Sequence, residues 1–421
     1  MRKIIIMIAA LLATFFTNAQ TAWTLQQCVD TALANNRNIK QNELTKTTKE
    51  IAYQQARNNL LPSLNASASQ GWSFGRSQLA DGTYQNINSS NSSFSLSSGI
   101  TLFDGLRMKY NIDARMNELK ASEANLEKIR QDIILSVSTS FLQVLLNKEL
   151  LSISENQLKL TEAKMEQQKS LVKAGILAEG ELFELIAQQS KEEVNKIQSQ
   201  NTLQLSLLDL AQILELSDFK DLDVRVPNDL MTNELELLDA DKVYASALQH
   251  RPEIKNAELE LQNSEKSIQI ARSYFFPTLS FGANVGAGYY NAVSTPLNTS
   301  IGFSLSVPIF NKMETKNQVR TAQINAKSYK LNVDNTKIEL RKTVQQAYYN
   351  AVGAKAKWDA SLKSEQAGTE AYRFANQKHE AGKSTVYELF QAKNNLTQAQ
   401  SEVIQSKYEY VFRLKILELL N

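Results

Sequence analysis

Among 421 residues there are two histidines and one cysteine, and their spacing supports no catalytic or metal chemistry. His250 and His379 lie far apart, neither sits in an HExxH arrangement, and Cys28 has no second cysteine to join in a zinc site or disulfide. No Walker pattern occurs. The run GANVGAG from Gly282 looks like a phosphate loop, but no helix follows it and its residues alternate as in a strand. Carboxylate pairs occur only as helix-surface charge, so neither an enzyme nor a cofactor is expected. His250, before Arg251 and Pro252, is expected to close a helix cap. His379, three residues before Gly382, is expected to meet the last carbonyls of a helix. Cys28 lies inside the helical pattern WTLQQCVDTALANN and is expected to be a small buried hydrophobe.

The charge balance removes another class of partner. The 46 basic and 44 acidic residues leave a formal net charge of +2, too weak a field to select nucleic acid. The opening MRKIIIMIAALLATFFTNAQ has two cations, an apolar stretch and small residues before Gln20. It predicts a signal peptide over residues 1–19. Its apolar run of about 13 residues falls short of the roughly 20 that a spanning helix needs.

The elements that must place the remaining residues come in two copies. ARNNLLPSL at Ala56–Leu64 returns as ARSYFFPTL at Ala271–Leu279, and KAGILAEGELF at Lys173–Phe183 returns as EAGKSTVYELF at Glu380–Phe390. A repeat of about 200 residues is a duplicated structural unit rather than a solenoid. Repeat 1 is read over 20–216, with strands near 64–75 and 92–103, a long helix near 105–173 and a return helix near 180–215. A connecting segment covers 217–241. Repeat 2 covers 242–421, with strands near 278–290 and 300–310 and helices near 312–380 and 385–420. Neither Gly nor Pro interrupts the stretch between Gly105 and Gly175, and a helix filling it would be about 100 Å long. Val137, Val144, Leu151, Leu158, Met165 and Val172 recur every seventh residue in it, a coiled-coil seam diluted by Gln, Asn and Ser.

Two windows are nearly free of charge. Residues 273–311 contain no Asp, Glu, Lys or Arg, and 58–103 contain only Arg76 and Asp81. Here the pattern changes to period two: Phe94, Leu96 and Ile100 against Ser and Gly, then Leu279, Phe281 and Val285, then Ile301, Phe303, Leu305 and Val307. Alternation of apolar with small polar residues over about ten positions fits strands of a transmembrane barrel, with those apolar residues facing lipid. Trp72, Phe74, Tyr289 and Tyr290 suit an interfacial belt. A hairpin lying on a soluble core uses the same alternation, but a helix of that length leaves little globular core beneath it. Four strands cannot close, and unpaired edges cost several kcal/mol per group in hydrocarbon, so the chain is expected to oligomerise. A dimer would give eight strands, filled by side chains, and a trimer twelve with room for a passage.

The order of elements, the paired Pro-Ser-Leu and Pro-Thr-Leu breaks, the opening WTLQQCVDTALANNRNIK, the LFDG at Leu102–Gly105 and the two Gly turns together resemble the TolC family of outer-membrane efflux proteins. The resemblance covers nearly all of the mature chain. It implies a mainly α fold with transmembrane β, in which a homotrimer forms a 12-stranded β-barrel continued by an α-helical barrel, with the connecting segment at an equatorial girdle. It further implies a passive duct in the bacterial outer membrane, with a large periplasmic portion. Such a duct would serve a tripartite efflux or type I secretion system, with a periplasmic adaptor and an inner-membrane pump of RND or ABC type as partners. The family's adaptor-docking turn maps onto Gly175, Ala178, Glu181 and Leu182, and onto Gly382, Thr385, Glu388 and Leu389, with the hydroxyl missing at Ala178. Its acidic aperture ring maps onto Glu388, with Gln391 where a second acid is often found. The same Gly turns also arise in plain helix hairpins, and Glu388 also suits a first-turn acid complementing the helix dipole. A diffusion porin would need only the strands, and a periplasmic coiled-coil structural protein only the helices.

Overall fold

The computed structural model describes residues 22–78, 81–86, 88–175, 179–218, 222–225, 237, 239–291 and 293–421. The expected signal peptide, Ala178 and most of the connecting segment lie outside them. The elements run α1 (Leu25–Asn35), α2 (Arg37–Asn58), β1 (Ser63–Ser73), β2 (Arg76–Gln78), β3 (Tyr84–Asn86), β4 (Ser89–Phe103), α3 (Arg107–Lys173) and α4 (Glu179–Ile213). They continue as α5 (Ala240–His250), α6 (Pro252–Ser273), β5 (Thr278–Tyr290), β6 (Val293–Ser306), α7 (Glu314–Glu380) and α8 (Val386–Leu420). The fold is mainly helical, with two internal repeats of helices and strands.

Local chemistry sets the helix ends. Thr24 and Gln27 form a reciprocal capping box: the Gln27 amide donates to Thr24 Oγ1 at 3.3 Å and the Thr24 amide to Gln27 Oε1 at 2.9 Å. That explains the WTLQQ opening. Asn36 caps α2 by accepting from the Asn38 amide at 2.9 Å. Pro252 opens α6, where its missing N–H costs nothing. In LFDG, Asp104 is buried and accepts from the Met108 amide at 3.1 Å and from Arg107 Nε at 3.3 Å. Two consecutive residues at positive φ make the passage from strand to long helix in each repeat. They are Gly105 (70°) and Leu106 (66°) in the first, and Lys312 (54°) and Met313 (66°) in the second.

The described chain divides into two units. The sheet-bearing unit holds Asn42–Leu126 and Pro252–Lys337; the other holds Met1–Gln41, Glu127–Arg251 and Ile338–Asn421. In the second unit Val137, Phe141, Val144 and Leu145 of α3 are fully buried, with Leu185 and Leu210 of α4 and Val344 of α7. Each such side chain contributes about 1.5–3 kcal/mol. Leu158 continues the seven-residue seam at 9 % exposure, while Leu151, Met165 and Val172 are only half-buried. Small hydroxyls let the long helices approach their return helices: Ser154 meets Ser199 at 3.1 Å, and Ser361 meets Ser406 at 2.8 Å. Trp23 pairs with Val224 of the connecting segment, and Lys148 holds that segment through Asp223 at 2.7 Å.

The four-stranded sheet has the order β1-β4-β5-β6, all neighbours antiparallel. Its second hairpin departs from the sequence reading. Its second strand was expected from near residue 300, yet β6 begins at Val293. Pro296 and Leu297 together oppose Ala287, where the register shifts between Gly286 and Gly288. Pro is tolerated there because a bulge at a sheet edge asks for no ladder donor. The loop of the first hairpin carries the extra pair β2–β3.

Candidate functional site

Register puts the strand residues on two chemically different faces. On one, Ala66, Leu96, Val285 and Thr299 stand in a row across the four strands, and Leu64, Ser98, Ala283 and Ile301 in the next. Ile100, Phe281 and Phe303 form another row, with the Phe281 and Phe303 rings 5.1 Å apart, and Leu279 stands opposite Leu305. Phe94, opposite Ala68 and Ala287, completes this face. Ile301, Phe303 and Leu305 are 74 %, 71 % and 65 % exposed, too much apolar surface to leave in water. The other face carries Ser63, Gly99, Gly282 and Gly302, then Asn65, Ser97, Asn284 and Ser300. Hydroxyl pairs Ser67–Ser95 and Ser69–Ser93, each at 2.7 Å, run along it.

One assignment is corrected. Val307 was assigned to the lipid-facing strand, but β6 ends at Ser306, because Pro308 supplies no N–H and restricts the residue before it. Farther along β4, a register shift between Thr101 and Phe103 sets Phe103 opposite Leu279.

The turns after α3 and α7 carry the other assigned residues. Gly382 (φ 66°) closes a Schellman-type end: its amide donates to His379 O and the Lys383 amide to Lys378 O, both at 2.9 Å. Gly175 (φ 72°) donates to Val172 O at 2.9 Å. Thr385 caps α8, its hydroxyl accepting from the Glu388 amide at 3.3 Å. The Glu388 carboxylate is exposed in the first turn, and exposed Gln391 donates to Asn395 at 3.3 Å. Glu181 is half-buried, with Oε2 lacking a hydrogen-bond partner among the described residues, and Leu182 is half-buried beside it. Leu389 was assigned to a docking surface but is 2 % exposed, so it belongs to the interior of the turn region. There Leu185 packs with Val386 and Phe390, joining the return helices of the two repeats.

Just behind these turns lies a polar cluster that the sequence reading missed. Lys393 of α8, 7 % exposed, donates to Thr161 Oγ1 at 2.5 Å and Gln157 O at 3.2 Å, and stands 3.4 Å from Glu192 of α4. Thr161 passes the interaction on, donating to Glu192 Oε2 at 2.5 Å. Burial pulls the Lys393 ammonium below its ordinary value, opposed by the Glu192 charge. Lys164 donates to Asn376 at 2.6 Å and is likewise lowered by burial. His379 contacts Gln168 at 3.2 Å and Ser384 O at 3.3 Å, across the Gly382 turn rather than in its own helix. His250 meets Ser246 O within α5 at 3.1 Å. No local pattern in the sequence around Lys393, FQAKNNL, marks this cluster. Among the described residues no cluster of three or more His, Cys, Asp or Glu could hold a metal ion.

A two-faced, charge-free sheet carried on long helices is the build of an outer-membrane channel protein. The chain belongs to the outer membrane efflux protein family, whose model matches residues 28–215 and 243–420. It is 22 % identical over 433 residues to outer membrane protein TolC of Escherichia coli (strain K12), covering 98 % of this chain and 84 % of that one. With toxin and drug export protein A of Aggregatibacter actinomycetemcomitans it shares 21 % identity over 395 residues, 92 % of this chain and 83 % of the relative. The fold matches a solved membrane protein from Pseudomonas aeruginosa with a TM-score of 0.81 at 19 % identity, covering 96 % of this chain and 93 % of that one. The protein is an outer-membrane exit duct.

Proposed function

We propose that three copies close their sheets into a 12-stranded barrel and form a passive conduit, which catalyses no reaction and spends no energy of its own. The sheet supports this most directly, since its order leaves β1 and β6 at open edges while its apolar face is wide and exposed. Open edges are not stable in hydrocarbon, and eight strands leave no passage. The Ser, Gly and Asn face then lines water. Substrate would reach the duct from an inner-membrane pump, of RND or ABC type, through a periplasmic adaptor docked at the Gly175 and Gly382 turns. Lys383, Tyr387 and Glu388 are exposed there and suit such a contact.

The long α3 and α7 weigh against a simple diffusion porin, and the exposed apolar sheet face against a soluble coiled coil. Native mass of the detergent-extracted protein tests closure: three chains are expected, and a stable monomer contradicts it. A photo-reactive residue at Tyr387 should cross-link a periplasmic adaptor in cells. Its failure to do so while export continues would remove the docking assignment.

A further inference from the structure

We propose that the band where the strands pass into the helices binds anionic phospholipid headgroups of the inner leaflet of the outer membrane, in preference to zwitterionic ones. The proposal rests on the reading that the apolar sheet face meets lipid, and adds to it a headgroup class and the residues that select it.

Each of the four junctions between strand and helix carries exposed apolar side chains. Leu61 stands before β1, Leu106 after β4, Phe275 before β5, and Ile309 and Phe310 after β6. Ile309 and Phe310 are 95 % and 74 % exposed, and they extend the apolar surface of the sheet toward the helices. Cations follow immediately. Within about one helical turn of the sheet-side helix ends stand Arg57 of α2, Arg107 and Lys109 of α3, Arg272 of α6, and Lys312 and Lys316 at the start of α7. Two acids share the band with these six cations, leaving a net +4 per chain. Asp104 is buried and already holds Arg107 at 3.3 Å, and exposed Glu314 accepts from Gln318 at 3.1 Å. The other five cations are exposed and make no ion pair among the described residues.

Internal partners do not account for these cations. Farther from the sheet, positive charge is matched within the chain: Lys266 meets Asp113 at 2.8 Å and Lys49 meets Glu118 at 3.0 Å. These two acids lie about 9 and 17 Å along α3 from its start. At the other ends of the strands the charge-poor windows hold only Arg76 and Asp81, which cancel. The helix dipole favours Arg57 and Arg272 in the last turns of α2 and α6, but it opposes Arg107, Lys109 and Lys316 in the first turns of α3 and α7. An anion from outside the chain relieves that opposition.

The order along the chain is that of a bilayer surface: charge-poor strand, apolar junction, cations. A phospholipid matches both outer layers, its acyl chains lying beside the apolar residues and its phosphate beside the cations. Lys and Arg stems pack along apolar surface while their charged ends reach the headgroup. An acidic protein surface would meet the cations and leave Ile309 and Phe310 uncovered. The helices continue on the periplasmic side of an outer-membrane protein, so the band faces the inner leaflet.

The test is binding of fluorescent phosphatidylglycerol or phosphatidylcholine, with the same acyl chains, to the detergent-extracted full-length protein in low and in high salt. Phosphatidylglycerol should bind about tenfold more tightly, and the margin should shrink several-fold in high salt. Lys109→Gln/Lys312→Gln/Lys316→Gln should abolish the margin while phosphatidylcholine binding and yield of the extracted protein stay unchanged. Lys327→Gln/Lys330→Gln, about 20 and 24 Å along α7, should keep it. Equal binding of the two lipids by the wild type, or a margin that survives the triple variant, overturns the proposal and leaves the lipid-facing sheet standing. Displacement of phosphatidylglycerol by inorganic phosphate would assign the band to free anions and overturn it as well. Failure to bind either lipid contradicts the lipid-facing assignment itself.

Discussion

Gly105 and Lys312 occupy equivalent left-handed positions, yet only one of them needs to be glycine. A Cβ on Gly105 would stand 2.7 Å from Ser273 O and 2.8 Å from Phe276 Cβ, so Gly105→Ala meets both strain and collision. Lys312 has no such glycine requirement and bears only the left-handed cost, about 1–2 kcal/mol for an L-residue. Gly105→Ala should reduce assembled protein sharply, while Lys312→Gly should assemble at least as well as wild type, as read by yield of the extracted complex. At Lys393 the stakes are electrostatic. Lys393→Met leaves the Glu192 carboxylate buried without its cation, which should cost about 3–5 kcal/mol, and Glu192→Leu in the same chain should recover most of it. The lowered Lys393 value fixes the sign with pH. Between that value and 10.5 the unfolded chain holds the proton and the folded chain does not, so stability rises with pH across this window. Urea midpoints measured across that window should show the rise in wild type and lose it in Lys393→Met.

At the scale of elements, the alternation in β4, β5 and β6 makes a stronger claim than any single strand residue. Phe281→Arg or Leu305→Arg puts charge on the apolar face, at about 2–4 kcal/mol per chain if that face lies at mid-bilayer. Ser304→Arg puts the same group on the opposite face. The first two should block assembly and the third should not, measured as trimer recovered from outer membranes; equal loss from both faces would contradict the assignment. Much of this architecture was legible in the sequence. Glycine-free stretches, charge-free windows and period-two alternation are averaged over many residues, and a single exception does not erase them. Local exceptions were not legible. Pro296 reads as a breaker until a bulge in β6 opposite Ala287 accommodates it, and Val307 reads as strand until Pro308 ends the ladder. The polar cluster around Lys393 was hidden for a related reason, since Gln157, Thr161, Glu192 and Lys393 come from three helices whose facing sides no local pattern reveals.

For the whole molecule the question is what an assembled duct passes and where it is gated. Gly382→Val should abolish export while the trimer still inserts, because a left-handed turn tolerates glycine far better than a β-branched side chain. If three copies bring Glu388 together at a constriction, Glu388→Gln should leave assembly intact and change cation selectivity in single-channel recordings. Unchanged selectivity at low and high salt would reduce Glu388 to a helix-end acid. The central claim remains that the small polar face of the sheet lines water and the apolar face meets lipid. Cysteines introduced singly along β6 and exposed to a membrane-impermeant thiol reagent during conductance recording measure it most directly. At Ser300 and Ser304 the reagent should react and reduce current, whereas at Ile301, Phe303 and Leu305 it should do neither. Block from the Ile301, Phe303 and Leu305 positions, or equal reaction along the whole strand, would contradict it.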